Sequence, residues 1–246
     1  MGRAGIAYTT GFMAIATALP YMLGMFIFSG YAGRIQQVGE KYHIESIPSL
    51  FEYRFGKPAK CVLAAMVAFA MVGTVAAQVT ATATIIKLLG GQVGISYEMG
   101  AFIATAIFII YTAASGLFGV VYTDVVQFFM LIIFVYLMIP FSSLDYLGGF
   151  GSFWASLDKS YITPAIDGKI LGDIVTYLVF TMAGAEMWQR AFAAKDKKSA
   201  KRGMFWGTAV YGVTIALLFL MGLAAQQILP NVVEEFGTAD AVIPAL

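Results

Sequence analysis

Apolar residues run through this chain in six blocks, each near the length that crosses about 30 Å of hydrocarbon. They cover residues 10–31, 62–86, 97–114, 120–140, 174–191 and 204–229. The runs are continuous and lack the alternation of barrel strands, so each predicts a helix. The third is short, and the fifth is interrupted by small and polar residues. Between the third and fourth lies AASGLFGVVYTDVVQ, residues 113–127. Ser115, Gly116 and Gly119 predict a turn there. The helix that follows carries Asp124, about 10 Å along the axis from Leu117 at ~1.5 Å per residue. Gln127 falls one turn later on the same face. A carboxylate that deep is costly unless it faces a cavity or a partner. The other segments are therefore expected to build something for Asp124 to face.

Composition agrees with the pattern. Hydrophobic residues make up 60% of the 246 and charged residues only 12%, against about a quarter charged in a soluble domain. The reading is an all-α integral membrane protein with about six transmembrane helices in a lipid bilayer. A net charge of +1 gives no case for a nucleic-acid partner. One cysteine, Cys61, excludes an intrachain disulfide and a cysteine-based metal site. The lone His43 reads as a solvated loop residue. No cleavable signal peptide is visible, because the first apolar run is too long and lacks a basic flank.

Basic residues set the expected orientation. Arg34, Lys41, Arg54, Lys57 and Lys60 fall in or beside the first loop, and Arg190, Lys195, Lys197, Lys198, Lys201 and Arg202 follow the fifth span. Only Arg3, Lys87, Lys159 and Lys169 lie on the other side, so the first two loops are expected in the cytoplasm. Both termini then lie outside, and an outside start at Met1 points to at least one preceding span. In the first loop, SIPSLFEYRFG (46–56) predicts a short interfacial helix, with Ser46 as cap, Pro48 early and Gly56 as stop. The loop 141–169 predicts a short outer helix around Phe150, Phe153 and Trp154, broken by Pro164. The segment after Pro230 reads as a further outer element.

Few residues could carry chemistry. Thr74, Gln78 and Thr82 form one polar stripe, which could line a pathway or bond between helices. Gly73 and the alanines around it predict close helix packing. Asp124 suits a role in tuning a cation site or carrying a proton, or it could anchor a helix. In the fifth span, Tyr177, Thr181 and Gly184 share a face, and the small residues 181–185 could break the helix. Broken helices near the midplane mark transporter substrate sites, because freed backbone groups bind the substrate. Gly184 could equally serve tight packing. Glu186 precedes Arg190 by four residues and predicts an ion pair. The motifs of metalloproteases, hydrolases and phosphate loops do not appear, so nothing points to an enzyme or to an ATP-driven pump.

Together, several stretches resemble the sodium:solute symporter family. SGLFGVVYTDVVQ is similar to its G-G-x-x-A-V-x-x-T-D-x-x-Q signature, with Leu117 in place of the second glycine and Gly119 in place of the alanine. SIPSLFEYRFGK, EMWQRAFAAKDKKSAKRG and TADAVIPAL resemble three further family segments, in the family's order. The resemblance implies part of a LeuT-like inverted-repeat transporter fold. Residues 1–246 form one incomplete domain covering roughly repeat helices two to seven, with the first reduced to GRAGIAY or absent. In that family sodium lies between the first and eighth repeat helices, so the resemblance implies Na⁺-coupled symport by a longer parent protein. It implies a small organic solute, alternating access across the plasma membrane and no cofactor beyond Na⁺ as coupling ion. Asp124 and Gln127 match the acid and glutamine tied to ion coupling. Substrate contacts would fall near Met13, Tyr177, Phe180, Thr181, Gly184 and Tyr211. The polar amide and lysine that sugar transporters of the family place near Gly184 and Tyr211 are not here. A proton-coupled transporter, the membrane module of a sensor and an inactive gene fragment are the competing readings.

Overall fold

The computed structural model describes residues 2–90, 93–162 and 168–246, apart from the side chains at 115–121, 160, 162 and 169. Pro164 falls outside these residues, as do the side chains of Leu117 and Gly119. In chain order the helices are α1 (Gly2–Thr10), α2 (Ile15–Tyr42), α3 (Ile47–Phe55), α4 (Lys57–Gly90) and α5 (Tyr97–Met130). Then come α6 (Ile139–Tyr146), α7 (Phe150–Ser156), α8 (Lys159–Ile162), α9 (Gly168–Ala183) and α10 (Ala185–Phe192). The last are α11 (Lys197–Ile228), α12 (Val232–Phe236) and α13 (Val242–Ala245). A 3-10 turn, Gly11–Ala14, separates α1 from α2, and a π-helix, Leu131–Met138, joins α5 to α6. No strand occurs among the described residues, and six helical stretches are long and apolar enough to cross a membrane. The chain is an all-α, multi-pass membrane protein.

The helices overrun the expected spans. α4 has 34 residues, about 50 Å at the α-helical rise. α2 continues to Tyr42 through a stretch expected as loop, because residues 32–42 contain no proline and their two glycines sit packed against neighbours. It stops where His43 adopts φ 53°, and Ile44 N–H donates to the Gly39 carbonyl at 2.9 Å. α3 has the expected ends: the Ser46 side chain accepts from Ser49 N–H, and Gly56 closes the helix at φ 85°. α7 is the short helix expected around Phe153.

The turn expected at 115–119 takes another form, since backbone assignment runs α5 unbroken through it. Even so, the hydroxyls of Tyr111 and Thr123 touch. Twelve residues of straight helix would separate them by about 18 Å, beyond their combined reach. The axis of α5 therefore bends sharply between them, and the reversal occurs as a helical bend rather than an open loop. The π-helix sits just before Pro140. That proline lacks an N–H and would press on the residue 136 carbonyl in an α-helix, and the wider turn relieves both problems.

The chain forms two compact units. The first comprises residues 1–14, 74–164 and 216–246, and the second 15–73 and 165–215. In the first, Ala4, Tyr8, Met221, Ala225, Val232 and Val242 form a buried cluster. Gly222 lets α1 and α11 touch at backbone distance, since a Cβ there would overlap the Ala4 carbonyl. Phe153 and Leu157 pack on Leu223 and Ala224 in a second cluster. In the second unit, Phe28, Ala32 and Ile35 of α2 meet Met187 and Ala191 of α10. The packing glycines are not the expected one: a Cβ on Gly73 would meet nothing within 4 Å. Most of α4 stays uncovered, with Phe69 83% exposed. Such a helix suits lipid, which solvates apolar side chains on every face.

Tyr8 closes the end of α11. Its hydroxyl lies 2.6 Å from the Pro230 carbonyl and 2.9 Å from that of Leu229, and accepts from Val232 N–H at 3.3 Å. The two carbonyls lie in the turn that follows α11, and the Val232 N–H is one of the orphan donors at the start of α12. Tyr8→Phe strands the Val232 N–H in a buried place and should cost about 1–3 kcal/mol. Thermal unfolding in detergent checks this, and an unchanged midpoint would show that Tyr8 is not the clasp.

Candidate functional site

The fifth apolar span breaks where its small residues predict. α9 ends at Ala183, α10 starts at Ala185, and Gly184 between them has φ −59° and ψ 116°. Such a break frees carbonyls at the end of α9 and amides at the start of α10. One is recovered by Trp188, whose indole N–H donates to the Met182 carbonyl at 2.9 Å, back across the break. The Gly184 carbonyl accepts from Met187 N–H at 3.1 Å and so begins α10.

Thr181 lies one turn before the break and is 2% exposed. Its hydroxyl is 2.8 Å from the Tyr177 carbonyl and 3.3 Å from the Tyr21 carbonyl on α2. α2 comes this close because Gly24 has no side chain. A Cβ there would stand 2.7 Å from the Leu178 carbonyl and 3.1 Å from the Thr181 Cβ. Tyr21 also leans on Tyr211 of α11, with ring centroids 5.4 Å apart and planes tilted by 53°. Within one unit, Thr181 thus meets Tyr177 and Tyr21, and Tyr21 meets Tyr211, with Gly184 one turn beyond Thr181. Phe180 points away and is exposed. Met13 sits in the 3-10 turn of the other unit. Tyr21, Gly24 and Trp188 were not singled out by the sequence. Gly24 and Tyr21 fall on an apolar helix whose partner the sequence does not name, and Trp188 reads as a span-end aromatic.

Glu186 departs from expectation. No ion pair joins it to Arg190 among the described residues. Glu186 is the second residue of α10 and its carboxylate folds back over Gly184, its Oε1 3.1 Å from where a Cβ would sit. A carboxylate is favoured at a helix N-terminus, and the missing Cβ leaves room for it. Its Oε2 is buried without a hydrogen-bond partner. Beyond α10, Asp196 Oδ1 accepts from Ser199 N–H at 2.7 Å and caps α11. That backbone bond holds its carboxyl below the usual range.

In the other unit, Asp124 and Gln127 lie on the second half of α5, both exposed. Asp124 makes no hydrogen bond or ion pair among the described residues. Gln127 edges an open groove of about 280 Å³ formed with Met130, Leu131, Phe134 and Val135. Of the polar stripe, Thr82 bonds back to its own helix at the Gln78 carbonyl, 2.9 Å away. An open groove between α2 and α9, about 370 Å³, is lined by apolar side chains such as Leu19, Phe26 and Ile174. Among the described residues no cluster of three or more His, Cys, Asp or Glu could hold a metal.

The model of the sodium:solute symporter family matches residues 1–246. The chain belongs to that family. Its relatives include the sodium/pantothenate symporter of Haemophilus influenzae, 28% identical over 169 residues, 65% of this chain and 34% of that protein. The sodium/glucose cotransporter of Vibrio parahaemolyticus is 26% identical over 225 residues, 80% of this chain and 40% of that protein. The chain thus spans well under half the length of these relatives. No solved structure matches it. Family members are transporters rather than enzymes, with sodium as the coupling ion.

If Trp188 holds the break closed, Trp188→Phe keeps the ring and removes the one indole donor. Amide exchange at residues 184–188 should then quicken by roughly tenfold, the worth of one net hydrogen bond. Unchanged exchange would show that packing alone shapes the break.

Proposed function

We propose that this chain forms the central helices of a plasma-membrane symporter that couples uptake of a small organic solute to Na⁺ entry. The observation that carries this is the break at Gly184, flanked by buried Thr181 and the Tyr21–Tyr211 pair. It interrupts the helical hydrogen bonds beside a hydroxyl and aromatic rings, which supports a solute site of the broken-helix kind. In this reading Tyr177, Thr181, Gly184 and Tyr211 contact the solute, with Tyr21 added and Phe180 at the margin. Asp124 and Gln127 serve ion coupling, and the two units belong to one transport domain that works by alternating access.

The solute class is narrower than the family's. The relatives named above carry pantothenate in one case and glucose in the other. This chain lacks the amide and lysine that the resemblance ties to sugars, which favours a non-sugar solute. An exposed Asp124 in an apolar helix also keeps proton coupling in play, and the choice of driving gradient separates the two.

Uptake of a panel of labelled carboxylates, amino acids and vitamins should be measured in proteoliposomes made with the full-length protein. An inward Na⁺ gradient should drive accumulation, and a proton gradient alone should not. Thr181→Val should raise the half-saturating solute concentration roughly tenfold, the loss of one hydrogen bond to a polar solute. Asp124→Asn should raise the half-saturating Na⁺ concentration more than that of the solute. Unchanged sodium dependence would remove Asp124 from coupling, and proton-driven accumulation would replace the Na⁺ reading.

A further inference from the structure

Helix α3 is well capped but poorly covered. Its nine residues include no buried one, and an isolated helix of that length is marginal in water. Phe51, Arg54 and Phe55 recur at helical spacing on one face and are exposed, Phe55 at 60%. The Phe51 and Phe55 rings lie 5.5 Å apart, and the Arg54 guanidinium stands 5.5 Å from the Phe55 ring. Tyr53 stacks near Tyr42 at 4.6 Å, and Lys41 stands 5.1 Å from the Tyr42 ring. Lys57, also exposed, opens α4 directly after Gly56. The neighbouring acids are partly occupied elsewhere: Glu52 pairs with Lys60, and Glu40 accepts from Gln36 Nε2 at 3.1 Å. Glu45 is exposed, ahead of the helix.

We propose that α3 and the first turn of α4 form a docking surface for anionic phospholipid headgroups. Phe51 and Phe55 enter the boundary between headgroups and acyl chains, while Arg54 and Lys57 meet the phosphates. Charge decides for lipid over a neutral partner, because the face pairs exposed aromatic rings with exposed cations and the nearby Glu52 is tied to Lys60. Two cations are fewer than a polybasic tract uses, so the inserted rings must share the work. Lys60 is held by Glu52 and contributes less. The adjoining α4 is itself a membrane helix, which holds α3 at the bilayer surface without any affinity of its own.

The chain carries its own reporter. Cys61 is its one cysteine, is exposed, and lies four residues beyond Lys57. The 246-residue chain, labelled there with a polarity-sensitive fluorophore, is reconstituted in phosphatidylcholine vesicles with increasing phosphatidylglycerol. The label should shift to the blue and lose access to aqueous iodide as phosphatidylglycerol rises, and high salt should reverse both changes. Arg54→Gln with Lys57→Gln should weaken docking by roughly tenfold or more, at the known worth of a basic residue near an anionic surface. Arg54→Lys should restore most of the response, which a folding defect would not. An identical signal in pure phosphatidylcholine and in mixed vesicles would overturn the proposal. So would protection from iodide already present in detergent, which would mean that protein covers the face. Equal responses to soluble glycerol phosphate would mark a small-anion site and would also overturn it.

Discussion

The contact of Gly24 with α9 sets the geometry of the second unit. A side chain at position 24 would push the two helices apart and draw the Thr181 hydroxyl away from the Tyr21 carbonyl. With no side chain at Gly24, the α2 backbone sits against the Leu178 carbonyl and Thr181. That closeness buries Thr181 one turn before the break at Gly184, and Tyr21 of the same helix reaches Tyr211 of α11. Lower on the same helix, Gly33 lies against Lys197 and Gly39 against Phe192. α2 thus presents a ladder of glycines to its neighbours. In lipid this matters more than in water, because close van der Waals packing replaces the hydrophobic effect as the glue between helices.

Much of this was legible in advance, and the misses share a cause. The six apolar runs gave the six spans, because the bilayer sets their length. Ser46, Pro48 and Gly56 gave both ends of α3, because capping is local chemistry. The run 181–185 gave the break, because few of its side chains can be held by packing. Gly73 failed as a packing glycine and Gly24 was overlooked, since which glycine meets a neighbour depends on tertiary rotation that one sequence does not encode. Glu186 and Arg190 had ideal spacing for a pair, but the helix start at Ala185 offered the carboxylate a nearer positive end.

The bend in α5 makes the same point from the other side. Ser115, Gly116 and Gly119 mark a place where chain direction changes, and Tyr111 meets Thr123 across it. Membranes penalise open backbone, so a reversal that keeps helical hydrogen bonds suits the environment better than a loop. The π-helix before Pro140 obeys the same rule. In both places the chain changes direction or pitch while its backbone groups stay paired, and helix dimensions alone would not reveal either.

The break at Gly184 is then the interruption that requires explanation. The first span is interrupted too, by the 3-10 turn Gly11–Ala14 and by Pro20, which has no N–H to give, but α9 stops and α10 restarts without a proline to force it. The chain spends an indole on only one of the freed carbonyls, at Met182. It also leaves a Glu186 oxygen without a partner beside the gap. Leaving polar groups short of partners in a low-dielectric setting costs stability that a proline-free, alanine-rich span could have kept. In the proposed reading that cost is offset at the solute site, because groups already fully satisfied would have to be unpaired before any solute could bind.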